Sequence, residues 1–176
     1  MLSKDPYERS LNGLFLAFQY PIELPGVTNA SYLKQIVNAH RKSRKETPID
    51  AGEFLKILKE KSKLLDIPMD MHSRFVNAGF SGGEKKKNEV LQMDLLNPSL
   101  IIMDETDSGL DVDALKTTAD AINKLRNNER SFIIITHYLR LLEYIEPDYV
   151  HVFQNGSVVE TGDKTLASRI DQEGYS

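Results

Sequence analysis

The 176 residues are 27% charged and 40% hydrophobic, with no cysteine and a formal charge of −4. The lack of Cys excludes a disulfide-stapled scaffold, a thiolate zinc site, a cysteine nucleophile and a protein-held iron–sulfur cluster. The mildly acidic balance argues against wrapping nucleic acid, and no apolar run approaches the roughly 18 residues that would insert into a membrane.

The length predicts one domain with a real core. Met1-Leu2-Ser3-Lys4-Asp5 is charged at once and no apolar stretch follows, which argues against a cleaved signal peptide and for a reducing compartment. Leu14-Phe15-Leu16-Ala17-Phe18 is a short apolar run stopped by Gln19-Tyr20-Pro21, and a strand is expected there. Pro21, Pro25 and Gly26 predict a loop. Residues 30–75 read as polar helices. Tyr32, Leu33, Ile36 and Val37 give one apolar stripe, and Phe54, Leu55, Leu58 and Leu65 a second. Between them Arg41-Lys42-Ser43-Arg44-Lys45 is expected to be a solvated helix end or loop, with a phosphate or partner contact as the other reading.

From residue 99 the pattern is α/β. Leu100-Ile101-Ile102-Met103 and Phe132-Ile133-Ile134-Ile135 are continuous apolar runs, as expected for strands buried on both faces. Asp111 is placed to cap a helix whose inner face holds Leu115, Ala119, Ile122 and Leu125. Asn155-Gly156 lies between two strand-like runs and predicts a type I′ hairpin. A last helix is expected around Thr165 to Ile170. Alternating strands and helices imply a largely parallel sheet with covered faces.

Five places carry candidate chemistry. Ser81-Gly82-Gly83-Glu84 fits a capping box, and its two glycines also leave backbone amides open to an anion at a helix start. Asp104-Glu105 ends an apolar run, where a parallel sheet places its ligands. One carboxylate there can ligate Mg²⁺ and its neighbour can polarise a water. The same pair also reads as a strand simply ending in polar residues. Ser108-Gly109-Leu110-Asp111 reads as a turn followed by a helix cap. His137 ends the second apolar run, where either a structural or a catalytic His can sit. Gln19 ends the first apolar run and says nothing alone.

In order along one chain, these five strings resemble the ATPase domain of ABC proteins. In the terms of that family Gln19 matches the Q-loop, and Ser81, Gly82, Gly83 and Glu84 match the signature motif, with Glu where Gln is frequent. Asp104 and Glu105 match Walker B and the catalytic glutamate. Residues 108–111, ending in Asp111, match the D-loop, and His137 matches the switch histidine. The strings Ala17-Phe18-Gln19-Tyr20-Pro21, Asn77-Ala78-Gly79-Phe80 with the signature after it, Thr106-Asp107 and Thr136-His137-Tyr138 narrow the resemblance to the SufC family, the ATPases of SUF iron–sulfur cluster assembly. Pro147-Asp148-Tyr149 and the ending Gly174-Tyr175 fit it as well.

The resemblance implies a P-loop NTPase fold, with a RecA-like parallel sheet and a helical subdomain. Its parts would be residues 1–20 (core strand and Q-loop), 21–98 (helical subdomain with the signature) and 99–176 (the rest of the core with the hairpin). It implies ATP and Mg²⁺ as cofactors, with Asp104 and Gln19 at the metal. Gln19, the signature residues and Asp111 would lie at the nucleotide, and Glu105 and His137 would serve catalysis. It further implies a head-to-tail, ATP-dependent dimer, SufB- and SufD-like scaffold proteins as partners, and a cytoplasmic or plastid-stromal location. A non-hydrolysing scaffold-binding module and a transporter ATPase subunit are the alternative readings.

One family motif has no counterpart. The phosphate-cradling loop G-x-x-x-x-G-K-[ST] is opened by none of the 10 glycines. The family places that loop before the Q-loop, so the chain reads as one that begins partway in. The expectation is no ATP turnover by this chain alone, and apolar sheet edges that favour aggregation.

Overall fold

The computed structural model describes residues 3–136 and 139–173. Helix α1 (Pro6–Leu11) is closed by a reciprocal Asp5–Glu8 capping box and leads into strand β1 (Leu14–Ala17). Strand β2 (Leu24–Thr28), helices α2 (Asn29–Ser43) and α3 (Ala51–Leu64), strand β3 (Phe75–Val76) and helix α4 (Gly82–Leu96) follow. Strand β4 (Leu100–Asp104), helix α5 (Val112–Leu125) and strand β5 (Ser131–Ile135) complete the sheet region. The chain then runs through a 3₁₀ turn, Leu139–Glu143, a hairpin of β6 (Val150–Gln154) and β7 (Ser157–Gly162), and helix α6 (Lys164–Glu173).

Strands β1, β4 and β5 form a parallel sheet in that order, with Leu16 beside Ile102 and Ile102 beside Ile133. Paired residues of a parallel sheet share a face. One face therefore carries Ala17, Ile101 and Met103, all buried against Leu115, Ala119 and Ile122 of α5, Met93 of α4, and Leu141 and Ile145. Asp111 caps α5 through the amide of Ala114, as the sequence predicts.

The other face corrects the expectation of two covered sides. Leu16, Ile133 and Ile135 are 42%, 49% and 48% exposed. Among the described residues the helices pack on the opposite face, and β5 is an edge strand paired with β4 alone. An unbroken apolar run cannot distinguish one covered face from two.

The helical stretch buries a second cluster, Leu33 and Val37 of α2, Phe54 and Leu58 of α3, Ile67, Met71, Phe80, and Leu91 and Leu96 of α4. Leu55, expected in the α3 stripe, instead faces solvent, and Ile57 packs on the cluster. Helix α4 supplies residues to both clusters and so joins them. The loop expected around Pro21, Pro25 and Gly26 is confined to residues before Leu24, because Pro25 and Gly26 lie within β2, which pairs with β3 only at Leu24–Val76 and Thr28–Phe75. Pro25 and Gly26 occupy the irregular middle of that ladder, where a missing N–H costs nothing. The Arg41–Lys45 stretch ends α2, with Arg44 and Glu46 paired at its exposed close. The predicted hairpin turn forms, with Asn155 and Gly156 both at positive φ.

Candidate functional site

Parallel pairing of β1 with β4 sets the centre of the site. Ala17 lies beside Met103, so Gln19 and Glu105, each two residues further on, leave the sheet side by side. The Gln19 Nε2 donates to Glu105 Oε2 at 2.6 Å. Glu105 itself has φ +43°, a left-handed backbone that turns the chain out of the strand while its amide still donates to the Ile135 carbonyl at 2.9 Å. Asp104 is the last residue of β4, pairs with Ile135 and is exposed.

The turn after Glu105 is held from inside. The Ser108 amide donates to the Glu105 carbonyl, and the Thr136 hydroxyl donates to Asp107 Oδ2 at 2.6 Å. Asp107 is buried, and its other oxygen, Oδ1, has no hydrogen-bond partner among the described residues. The Asp111 carboxylate is engaged by its own helix start. His137 and Tyr138 lie outside the described residues, as do Gly174 and Tyr175.

The start of α4 forms the second part. Ser81 Oγ accepts from the Glu84 amide, and Glu84 Oε2 accepts from the Ser81 amide at 2.7 Å. Arg74 completes the arrangement. Its Nη1 donates to Glu84 Oε1 at 3.0 Å, its Nη2 to the Gly79 carbonyl at 2.6 Å, and its guanidinium lies 4.5 Å from the centre of the Phe80 ring. The Ser81 amide, aided by Arg74, holds the Glu84 carboxyl below the usual carboxylate range. The negative charge that Glu brings to this helix start is thus matched by Arg74.

Gly82 and Gly83 belong to the first turn of α4 and pack toward Gly109, Leu110 and Ala114. A Cβ on Gly82 would lie 3.8 Å from the Gly109 carbonyl oxygen, and one on Gly83 3.5 Å from Ala114 Cβ, both ordinary contacts. The fold of this chain therefore does not itself require glycine at these positions. Residues 81–84 and 108–111 are thereby brought together, and residues 105–108 link them to the Gln19–Glu105 pair.

Among the described residues, no group of three His, Asp or Glu is placed to hold a metal on its own. The exposed Asp104 carboxylate and the Gln19 carboxamide offer the hard oxygen donors that suit Mg²⁺, which takes one or two protein oxygens and completes its shell with phosphate and water.

Arg74 escaped the sequence reading, and Asp107 and Thr136 entered it only within the family strings, with no role given to them. Thr136 stands beside His137, a usable signal, whereas the Arg74–Glu84 contact has no pattern that a sequence reveals.

No protein-family profile matches the chain. A curated relative from Escherichia coli (strain K12), named probable ATP-dependent transporter SufC, is 51% identical over 175 residues, covering 99% of this chain and 71% of that protein. The iron–sulfur cluster assembly protein SufC of Plasmodium falciparum (isolate 3D7) is 48% identical over 168 residues, 96% of this chain and 48% of that protein. Among solved structures, a dimeric ATP-binding cassette in a post-hydrolysis state, bound to ADP and Pi, superposes with a TM-score of 0.72 at 16% identity, covering 92% of this chain and 68% of that one. That likeness identifies the fold as the ABC ATPase cassette.

Proposed function

Because this chain belongs to the SufC family of ABC-type ATPases, we propose that it contributes the signature half of a composite ATP site in a head-to-tail dimer. The dimer would serve iron–sulfur cluster assembly on SufB- and SufD-like scaffold proteins. The observation that carries the reading is the helix start at Ser81–Glu84, whose Gly82 and Gly83 have room for a Cβ that the fold leaves unused.

In this reading Glu105 polarises the attacking water and His137 orients it. Gln19, whose Nε2 is taken by Glu105, would offer its carbonyl oxygen to Mg²⁺ together with the Asp104 carboxylate. When bound, that ion neutralises phosphate charge. Ser81 and Gly83 approach the γ-phosphate of ATP held by the partner subunit, using helix-start amides that the fold leaves room around. Asp111 lies at the dimer interface. Closure of the dimer is what the scaffold would feel. The reading treats residues 21–98 as the helical subdomain facing partners, and residues 1–20 with 99–176 as the nucleotide-binding core. It puts the protein in a bacterial cytoplasm or a plastid stroma. No described helix is long and apolar enough to cross a membrane.

The 176 residues hold no phosphate-gripping loop, so the chain alone is expected not to hydrolyse ATP. The test mixes it with a complete family member and a non-hydrolysable ATP analogue with Mg²⁺, and reads mass by light scattering. A mixed dimer that forms only with the analogue supports the reading, and its absence overturns it. Mg²⁺-dependent turnover by the 176-residue chain on its own would overturn the expectation of inactivity.

The E. coli relative's name favours a second reading, a transporter's ATPase subunit. Co-purification with a membrane-embedded partner, in place of scaffold proteins, would select it.

A further inference from the structure

Lys86 and Glu89 stand one turn apart on α4, only 4% and 5% exposed, and pair at 2.9 Å. Burying such a pair is expensive, and apolar residues of similar volume commonly stabilise as well or better. The two side chains do something that apolar residues could not. Glu89 Oε1 accepts from the Phe18 amide at 3.2 Å, while Lys86 Nζ donates to the Phe18 carbonyl at 2.8 Å. Phe18 is the first residue past the β1 ladder, where its backbone groups have lost their strand partner. It is also the residue before Gln19. Capturing the N–H and the C=O of one residue fixes the peptide planes on both sides of it, and with them the direction in which Gln19 departs.

We infer that the Lys86–Glu89 pair is a positioning device, a clamp on the Phe18 backbone that aims the Gln19 carboxamide at Glu105. It rests on the reading of Gln19 and Glu105 as part of an ATP site. It adds a rigid link between that pair and the helix whose first turn holds Ser81, Gly82 and Gly83. Lys86 lies one turn beyond Gly83, so a shift of α4 on meeting an anion moves the Phe18 peptide with it. Neither Lys86 nor Glu89 touches the reacting atoms. Burial pushes the Glu89 carboxyl up, and Lys86 and the Phe18 amide oppose that rise.

The test is made by NMR on the 176-residue chain. The double variant Lys86→Met with Glu89→Leu keeps the site filled and removes the clamp. Its unfolding midpoint is expected to stay level or rise. Its Phe18 amide should exchange about tenfold faster or more, the order expected for losing a charge-assisted hydrogen bond. Its Gln19 carboxamide signals should become insensitive to a further Glu105→Gln change. A folded double variant that keeps both Phe18 protection and the Glu105 dependence of Gln19 overturns the proposal. If the double variant does not fold, the wild-type chain decides. The Phe18 amide proton must titrate together with the Glu89 carboxyl carbon, and a Phe18 signal indifferent to Glu89 overturns the clamp. The site reading fails separately. If Glu105→Gln in the otherwise wild-type chain leaves Gln19 unmoved while Phe18 still follows Glu89, the Gln19–Glu105 pair falls and the clamp stands.

Discussion

In the helical cluster Leu33, Leu58 and Met71 are wholly removed from solvent, whereas in the sheet Leu16, Ile133 and Ile135 keep nearly half of their surface exposed. The two regions differ in how many sides are closed. Helices α2, α3 and α4 turn their stripes toward one another, so each covers the others. Among the described residues the sheet has α5 against one face, and the other is left open to solvent. Stability should therefore be concentrated in the helical cluster and in the α5 face of the sheet. The open face should govern association with other chains.

The largest effect that separates the two regions comes from deletions of apolar volume. Leu58→Ala leaves a cavity in the closed cluster and is expected to cost about 3 kcal/mol. Ile133→Thr on the open face keeps a β-branched side chain and is expected to change stability by about 0.5 kcal/mol or less. The same Thr substitution should lower self-association. Denaturant melts and light scattering check both. A cost for Ile133→Thr equal to that of Leu58→Ala would mean that the open face is covered, and the contrast would fail.

The helical region also holds a buried polar chain, which gives it a pH response. The Asn29 Nδ2 donates to His72 Nδ1 at 3.2 Å and to Asn88 Oδ1 at 2.8 Å. With Nδ1 accepting, the His72 proton sits on Nε2 and points at Ser62 Oγ, 2.8 Å away. Asn88 continues the chain to Asn77, which donates to the Ile22 carbonyl. Burial holds the His72 imidazole below its ordinary value, against a smaller opposing pull from Asp70. His40 is lowered too, by burial and by Arg44. The sign follows from linkage. Above the ordinary histidine value of about 6.5 both states are neutral and stability is unaffected. Below it the unfolded chain takes up protons that the folded chain resists, so stability falls as pH falls. Thermal midpoints between pH 7.5 and 5.5 should decline, and His72→Gln should flatten the slope. A midpoint that rises on acidification would refute this assignment.

Much of the local architecture is legible in the sequence because its signals are short-range. Ser81 with Glu84, Asp111 before its helix and Asn155-Gly156 each act within a few residues, and each forms as expected. That Gln19 and Glu105 belong to one site is legible only through the whole ordered set of motifs, and their direct contact is not, since a strand-end Gln alone carries no signal. The open face of β5 was hidden because an Ile run reads the same whether one side or both are covered. The β2 ladder was hidden because its pairing is carried by Leu24 and Thr28, at either end of a Pro-Gly interruption. The clamp of Lys86 and Glu89 on Phe18 joins positions far apart in sequence. On a polar helix face two charged residues one turn apart ordinarily signify solvent exposure.

The smallest expected effect on stability is also the one that best separates folding from function. Gly83 has room for a methyl group, with Ala114 Cβ 3.5 Å from where its own Cβ would be. Its backbone is helical, and alanine restricts the unfolded chain more than glycine does. Gly83→Ala should therefore leave stability unchanged or raise it by a few tenths of a kcal/mol. If the glycine exists for a phosphate approaching the helix start, the same methyl group obstructs that approach, and the nucleotide-dependent mixed dimer should be lost or weakened severalfold. A variant that folds as well as the parent chain and no longer pairs places the need for glycine outside the fold, in the ligand. A variant that pairs unchanged assigns residues 81–84 to helix capping alone.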